Sequence, residues 1–346
     1  MNREKRRIAV IGAGSWGTTL ANLLAEKEEG VFLWVFEEDL FRFLVEKREN
    51  HFFLPGVRLA DSLRFTHSLE EALDGQETVV CAVPSHAVRE VFLQAIKHLS
   101  PEALLISVTK GLEDATHLTM SRVLEEVIGA GKEAQIAALS GPSFAREVCR
   151  RIPTAVTVAG TNPRAAQEAQ ALFLRPYFRV YTNPDIRGVE LGGAVKNVMA
   201  IAAGASDGMG FGHSSRAALI TRGLAEMTRL GTSLGAQEQT FFGLAGLGDL
   251  VLTCTGDLSR NRQVGLELGR GKGVKETLGG MRMVAEGVRT AKALWELAQE
   301  RKVDMPITGK VYEILYEGKD PREAVQELMS RLPRAEQEAT HRASHP

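Results

Sequence analysis

The sequence predicts an α/β fold in which a doubly wound sheet is followed by an all-α C-terminal domain. In the first half, short β-branched runs alternate with amphipathic stretches, which is the pattern of a parallel sheet covered by helices. After about Gly188 the alternation stops, and helical patterns follow one another. The length of 346 residues is enough for two domains that each bury a core.

The individual elements follow from these periodicities. Six apolar runs are predicted to be buried parallel strands: Ile8–Ile11, Val31–Phe36, Thr78–Val83, Leu104–Val108, Ile136–Leu139 and Ala155–Ala159. The helical patterns between them are Thr18–Lys27, Asp39–Arg48, Ser68–Leu73, Val88–Lys97, Thr119–Ile128 and Pro163–Phe173. The later helices are predicted at Glu190–Gly204, Ser215–Leu234, Ser259–Leu268, Val288–Glu300, Lys310–Tyr316 and Pro321–Met329. We therefore expect a sheet domain over residues 1–188, a helical domain over 189–332 and a polar, disordered tail over 333–346.

The composition argues against several classes of protein. Lys and Arg number 42 and Asp and Glu 43, so the net charge of −1 gives no basic footprint of a nucleic-acid binder. The 3 cysteines are far apart, which excludes a disulfide scaffold and fits a reducing compartment. No His, Cys and carboxylate cluster has metal spacing, so no metal is expected. Without a signal-peptide pattern or a long apolar run, we expect a cytoplasmic protein with no membrane span.

A glycine loop follows the first predicted strand and opens the first helix. It reads GAGSWG and comprises Gly12, Ala13, Gly14, Ser15, Trp16 and Gly17. Glu37 lies 20 residues beyond Gly17 and after a second strand, which completes the context of a dinucleotide site in a Rossmann-type domain. The free N–H groups at the helix start would bind the pyrophosphate. The alternative is a glycine-rich turn that binds no nucleotide.

The ends of the later strands are a second candidate site, because ligands of open α/β sheets bind outside the carboxyl ends of the strands. Lys110 follows one strand and is placed to meet an anionic ligand. Ser143 follows another and is predicted to cap a helix that starts at Phe144. The alternative for Lys110 is a solvated surface lysine.

A lysine in the second half lies among very small residues. On a helix, Gly192, Gly193, Lys196, Ala200 and Ala203 share one face by their spacing. Two adjacent glycines weaken a helix, so they indicate the close approach of another group. Partial desolvation there would lower the pKa of Lys196 and suit it to proton transfer. The alternative is simple helix packing, with Lys196 reaching outward.

The segment Ser259–Arg262 is a candidate anion site at a helix start. Ser259 is a good N-cap, and Arg260 falls in the first turn, where a cation opposes the helix dipole. A bound phosphate would resolve this conflict. The alternative is an ion pair with Asp257 or another carboxylate. Asp249 either caps its own segment or orients Lys196.

Eight motifs in collinear order resemble those of bacterial NAD(P)-dependent sn-glycerol-3-phosphate dehydrogenases. They are GAGSWGT at 12–18, TKGLE at 109–113, SGPSFA at 140–145, GVELGGAVKNV at 188–198, ALITRGLAEM at 218–227, GLGDLVLTC at 246–254, SRNR at 259–262 and VAEGVRT at 284–290. The resemblance extends from about Ile8 to Met329. It implies the reversible reduction of dihydroxyacetone phosphate to sn-glycerol 3-phosphate with NAD(H) or NADP(H), the supply of phospholipid synthesis, and a homodimer.

The resemblance also implies a role for individual residues. In the oxidation direction Lys196 accepts the proton, and Asp249 holds Lys196 and the substrate hydroxyls. The implied substrate-binding residues are Lys110, Gly141, Ser143, Lys196, Asp249, Ser259, Arg260 and Asn261. The implied cofactor-binding residues are Gly12, Gly14, Ser15, Trp16, Gly17, Phe36, Glu37, Lys110, Ala145, Arg260, Val284 and Glu286.

Two alternatives to this function stay open on the sequence alone. One is a dehydrogenase of the same architecture that acts on a hydroxy acid, and the other is a non-catalytic dinucleotide sensor. The sequence also departs from the family at Phe36, where relatives that use NADPH commonly carry Arg or His. With Glu37 and Glu38 beside it, this position favours the free 2′-hydroxyl of NADH. The alternative is that Phe36 only stacks on the adenine and another arginine, such as Arg42, receives the 2′-phosphate of NADPH.

Overall fold

The described residues form an eight-stranded sheet that is followed by packed helices. The computed structural model describes residues 7–28, 30–129, 135–280, 285–333, 335 and 336. The strands are β1 (Ile8–Ile11), β2 (Val31–Trp34), β3 (Arg64–Thr66), β4 (Thr78–Cys81), β5 (Leu104–Ser107), β6 (Ile136–Ser140), β7 (Thr154–Gly160) and β8 (Phe178–Asn183). The helices among them are α1 (Ser15–Ala25), α2 (Glu38–Lys47), α3 (Leu69–Leu73), α4 (Val88–Ala95), α5 (Met120–Ile128), α6 (Ala145–Cys149) and α7 (Pro163–Phe173).

The second part of the chain is helical, as predicted. Its helices are α8 (Ile186–Gly208), α9 (His213–Ser233), α10 (Glu238–Phe241), α11 (Asp249–Thr255), α12 (Arg260–Gly269), α13 (Val274–Gly279), α14 (Glu286–Arg301), α15 (Pro306–Tyr312) and α16 (Pro321–Met329). Two π-helical turns, Leu244–Gly248 and Glu313–Glu317, interrupt the series. Most of the predicted disordered tail, residues 334 and 337–346, lies outside the described residues.

The sheet order puts the carboxyl ends of β1, β4 and β5 side by side. The strands lie in the order β3-β2-β1-β4-β5-β6-β7-β8. Along β1, Ile8 and Val10 pack into the core on one face, while Ala9 and Ile11 pack into the core on the other. Because both faces are covered, the central strands are uniformly apolar rather than alternating. This edge is where an open α/β sheet binds its ligands.

Two sequence predictions about the sheet domain are wrong, and two of its strands were not predicted. The run Ala155–Ala159 does form a strand, but β7 pairs with β6 antiparallel and with β8 parallel. Between β6 and β7 the chain holds only the five-residue helix α6. The edge strand β8 and the three-residue β3 were not predicted. Helix α6 begins at Ala145, and Ser143 does not cap it.

Helices α8 and α12 touch through their backbones. Nearly every residue of α8 from Gly188 to Ser206 is buried. A Cβ on Gly204 would lie 2.0 Å from the carbonyl oxygen of Arg262, and one on Gly265 would lie 2.0 Å from that of Ile201. These helices therefore approach as closely as glycine permits, and α12 is held rigidly against α8.

We predict that Gly265→Ala destabilises the protein by about 1–3 kcal/mol, because the new methyl group must push α8 and α12 apart. The measurement is urea denaturation followed by circular dichroism. Gly279→Ala is the matched control: its Cβ would meet nothing within 4 Å, so this helical substitution should be neutral or stabilising by up to ~1 kcal/mol. Equal stability of the two variants would contradict the packing argument.

Candidate active site

A large cavity lies between the carboxyl edge of the sheet and the helices of the second part. Its volume is about 880 Å³. The predicted site residues that line it are Gly12, Gly14, Ser15, Trp16, Phe36, Glu37, Lys110, Ser143, Ala145, Lys196, Asp249, Ser259, Arg260, Asn261 and Glu286. Gly17 and Gly141 lie behind this lining and contact it. Val284 lies outside the described residues.

The glycine loop forms a cradle at the start of α1. Gly12 has a φ of +116°, and a Cβ there would lie 2.8 Å from the backbone of Ala82. A Cβ on Gly17 would lie 2.0 Å from the carbonyl oxygen of Gly12, so α1 packs directly on the loop. Gly14 has open space where a Cβ would point. The first N–H groups of α1 have no acceptor within the helix, so the cradle fits the pyrophosphate of a dinucleotide.

The wall beyond β2 carries an aromatic ring and an acid. Phe36 is 70% exposed and lies beside Trp34, with 6.0 Å between the ring centroids. Glu37 precedes α2 and lines the cavity next to Phe36. Arg42, the basic residue nearby on α2, forms an ion pair with Glu38 and is not part of the lining.

The polar centre of the cavity is a carboxylate held between two lysines. Asp249 is 1% exposed. Its Oδ1 lies 2.5 Å from Nζ of Lys196, and its Oδ2 lies 2.7 Å from Nζ of Lys110. Lys196 also donates to Oγ1 of Thr253 at 2.9 Å, and Lys110 donates to the carbonyl of Gly141 at 3.1 Å. Both lysines are therefore fixed inside the cavity, so neither is a solvated surface lysine.

This arrangement shifts the pKa of both Lys196 and Asp249. Burial and, to a smaller extent, the charge of Lys110 lower the pKa of Lys196 to about 7 against the attraction of Asp249. Burial alone would raise the pKa of Asp249, but the two ammonium groups outweigh it and lower that pKa. Lys196 can therefore gain or lose a proton near neutral pH while Asp249 stays charged.

Small residues on α8 let other backbone lie over Lys196. A Cβ on Gly192 would lie 2.5 Å from the carbonyl oxygen of Ala245, which belongs to the π-helical turn before Asp249. A Cβ on Gly193 would lie 2.7 Å from Oγ of Ser140. The close approach predicted from the paired glycines is thus the contact that brings α11 and its carboxylate to Lys196.

The two arginines at the start of α12 have different environments. Ser259 is the N-cap and accepts from the N–H of Arg262 at 3.2 Å. Arg262 forms ion pairs with Asp207 at 2.8 Å and with Asp257 at 2.9 Å. Arg260 lines the cavity, where burial lowers its pKa and the charge of Glu286 opposes that shift. Asp257, which the sequence offered as an alternative ion-pair partner at this helix start, thus pairs with Arg262.

Asn261 joins three helices behind this helix start. Its Nδ2 donates to Oδ1 of Asn197 on α8 at 2.9 Å, and its Oδ1 accepts from the N–H of Gly287 on α14 at 2.9 Å. On the same helix Glu286 accepts from Oγ of Ser85 at 2.8 Å, across to the sheet domain. Burial raises the pKa of Glu286 despite this bond.

Several residues of the cavity were not predicted. Thr253 lies one turn after Asp249, and this spacing would have placed both side chains on one face of a helix. The wall segment Phe52–Pro55 has no local sequence signal of a site. Nor does Asn197, the hydrogen-bond partner of Asn261. Ser143 lines the cavity, but its Oγ donates to the carbonyl of Gly141 at 3.0 Å instead of capping a helix.

Comparison with known proteins identifies the class of enzyme. The family model of the NAD-dependent glycerol-3-phosphate dehydrogenase N-terminus matches residues 7–166, and the model of its C-terminus matches residues 185–326. The chain therefore belongs to the NAD-dependent glycerol-3-phosphate dehydrogenase family, a group of two-part oxidoreductases. The predicted resemblance is confirmed, and so is the fold of a Rossmann-type domain followed by a helical domain.

Individual relatives agree with this membership. A protein of Geobacter metallireducens named glycerol-3-phosphate dehydrogenase (NAD(P)+) is 57% identical over 330 residues, covering 95% of this chain and 98% of that protein. A crystal structure of glycerol-3-phosphate dehydrogenase from Coxiella burnetii is 41% identical with a TM-score of 0.91, covering 94% of this chain and 99% of that one. A ketopantoate reductase from Ralstonia eutropha, at 13% identity and a TM-score of 0.57, over 92% of this chain and 99% of that one, shares the fold alone.

The described residues hold neither a metal-binding cluster nor a single helix that could cross a membrane. No group of three or more His, Cys, Asp or Glu side chains there is arranged to hold a metal ion. In the same residues, no single helix is long and apolar enough to cross a membrane, although the bent pair Glu238–Thr255 and Arg260–Gly269 passes by length and composition.

Proposed function

We propose that this protein catalyses the reversible reduction of dihydroxyacetone phosphate to sn-glycerol 3-phosphate with NAD(P)H. The observation that carries the proposal is that the cluster of Lys196, Asp249 and Lys110 shares one cavity with the pyrophosphate cradle. Family membership and the names of the relatives support the same substrate and cofactor. The proposed site is the set of residues predicted from the sequence.

The residues of the cluster divide the chemistry between them. A bound nicotinamide supplies the hydride for reduction and accepts it in the reverse direction. The ammonium group of Lys196 donates a proton to the ketone oxygen, which becomes the hydroxyl, and the neutral amine accepts that proton back in oxidation. Asp249 keeps Lys196 aimed into the cavity, and it faces the substrate hydroxyls. Lys110 stabilises the negative charge that develops on the oxygen.

The phosphate of the substrate is proposed to bind at the start of α12. Arg260 and the N–H groups of the first turn supply a guanidinium and a helix N-terminus on the cavity side. Arg262 forms an ion pair with Asp207 and so holds the helix start in place. Asn261 fixes the same turn against α8 and α14.

We also propose where this reaction takes place, what its product is used for, and how the chain is divided and assembled. The product supplies phospholipid synthesis, and the protein acts in the cytoplasm, for which its three free cysteines are the support. We propose a homodimer that pairs through the helical domain, and domain boundaries at residues 1–188 and 189–332.

The direct test is the loss of absorbance at 340 nm when purified protein is mixed with NADH or NADPH and dihydroxyacetone phosphate. Activity with this substrate, and little with unphosphorylated dihydroxyacetone or with 2-keto acids, is expected. Turnover of a 2-keto acid alone would assign the protein to the hydroxy-acid dehydrogenases. Cofactor binding without turnover of any of these would favour the sensor.

We predict that Lys196→Ala lowers kcat by about 10²–10⁴-fold, because it removes the group that transfers the proton. The dissociation constant of NADH should stay within about threefold, since the pyrophosphate cradle is intact. Wild-type kcat/KM for reduction should fall above about pH 7, where Lys196 loses its proton, and that for oxidation should rise there.

Steady-state rates against pH and fluorescence titration of NADH make these measurements. Lys292→Ala on the exposed side of α14 is the control and should change neither kcat nor the dissociation constant of NADH. Near-normal turnover of Lys196→Ala would remove Lys196 from the mechanism.

We predict that NADH is used at least as well as NADPH. Phe36 offers no charge to a 2′-phosphate, Glu37 would repel it, and Arg42 is paired with Glu38. Phe36→Arg should raise kcat/KM for NADPH relative to NADH by about tenfold, through one charge-assisted contact. The ratio of the two kcat/KM values is the measurement.

Tyr181→Arg is the control for added charge. Tyr181 is exposed on β8, at the opposite edge of the sheet from the strands around Phe36, so its substitution should leave the cofactor ratio unchanged. A wild-type preference for NADPH of about tenfold or more would show that another basic residue receives the 2′-phosphate.

A further inference from the structure

The glycine loop is tied to another stretch of the cavity wall through one buried side chain, Asn50. Asn50 is 0% exposed and lies just after α2. Its Nδ2 donates to the carbonyl of Ala13 at 2.8 Å and to Oγ1 of Thr18 at 2.8 Å. Thr18 in turn donates its hydroxyl to the same carbonyl at 3.2 Å. Both amide protons of Asn50 are thus spent on the loop and on the first helix turn.

The bond to Ala13 sets the direction of a peptide group in the cradle. In a trans peptide the N–H of the following residue points opposite to the carbonyl. By holding the carbonyl of Ala13, Asn50 therefore turns the N–H of Gly14 to the other side of that peptide. Without this bond the carbonyl would be a buried acceptor with one partner fewer, and the peptide could rotate toward the anion site.

The other half of the Asn50 side chain orders the wall. The side-chain Oδ1 accepts from the N–H of Phe53 at 3.0 Å, and the backbone carbonyl of Asn50 accepts from the N–H of Leu54 at 2.8 Å. Phe52, Phe53, Leu54 and Pro55 all line the cavity. The segment lies in turns rather than in a helix or strand, and the two bonds to Asn50 close the first of these turns.

We propose that Asn50 is a positioning residue for the cofactor, which holds the pyrophosphate cradle and the Phe52–Pro55 wall in one fixed relation before the dinucleotide binds. The proposal rests on the dinucleotide binding proposed above. It follows from the geometry, because a single buried amide satisfies a loop carbonyl on one side and a wall N–H on the other. Such preorganisation strengthens binding by removing the entropic cost of ordering the two segments.

The test is the dissociation constant of NADH for Asn50→Ala, measured by fluorescence titration together with the melting temperature. We expect the dissociation constant to rise by about tenfold or more, while kcat at saturating NADH changes by less than about threefold. The KM for dihydroxyacetone phosphate should not change, since Asn50 does not reach that part of the cavity. Asn50→Asp keeps the acceptor for Phe53 but loses both donors, so it should weaken NADH binding as well.

Asn22→Ala is the matched control. Asn22 lies on α1 and accepts from the N–H of Ala60 at 2.8 Å, further along the chain that follows the wall segment, and its side chain has no bond to the glycine loop among those described. Its loss should leave the dissociation constant of NADH within about twofold. If Asn50→Ala does not fold, Thr18→Val decides: it keeps the volume, removes one acceptor of Asn50, and should raise the dissociation constant about threefold or more.

An unchanged dissociation constant in folded Asn50→Ala, even with a lower melting temperature, would overturn the proposal and leave Asn50 a purely structural role. An unchanged value in Thr18→Val would do the same where Asn50→Ala does not fold. Failure of the wild type to bind NADH would instead overturn the proposed function, so the two failures are distinguishable.

Discussion

The site depends on one buried ionic contact, the carboxylate of Asp249 between the ammonium groups of Lys196 and Lys110. A buried lysine without a counterion would be forced to lose its proton, and two of them would repel each other. A single carboxylate shared by both offsets part of that cost and leaves an excess of positive charge on this cluster when Lys196 is protonated. That excess suits an anionic substrate, and the compromise leaves Lys196 able to change its protonation state near neutral pH.

The fold brings this contact together from three distant elements. Lys110 follows β5 at the carboxyl edge of the sheet, Lys196 lies on the buried helix α8, and Asp249 begins α11. Glycine at position 192 lets the turn before Asp249 lie on α8, and Gly265 lets α12 lie on the next part of the same helix. The active site is therefore a property of close backbone packing around α8, and side-chain identity alone does not explain it.

Much of this arrangement could be predicted from local sequence. The glycine loop, the capping by Ser259 and the unusual setting of Lys196 each have a signal within a few residues. The residue pattern alone left Asp249 open as a helix cap or as the partner of Lys196, because the bond spans 53 residues of chain, and only the family resemblance favoured the second role. The direction of β7 and the role of Asn50 were also not predicted, because both are decided by contacts between segments that are far apart in sequence.

The central claim is that burial and the shared carboxylate set the pKa of Lys196, and an NMR titration tests it directly. Lysine labelled with ¹³C at Cε gives one signal per residue, and Lys196→Ala assigns the signal of interest. We expect a midpoint near pH 7 in the wild type and a lower one in Asp249→Asn, where the attraction of the carboxylate is lost. A wild-type midpoint at pH ~10.4, the pKa of lysine in model peptides, would contradict this claim.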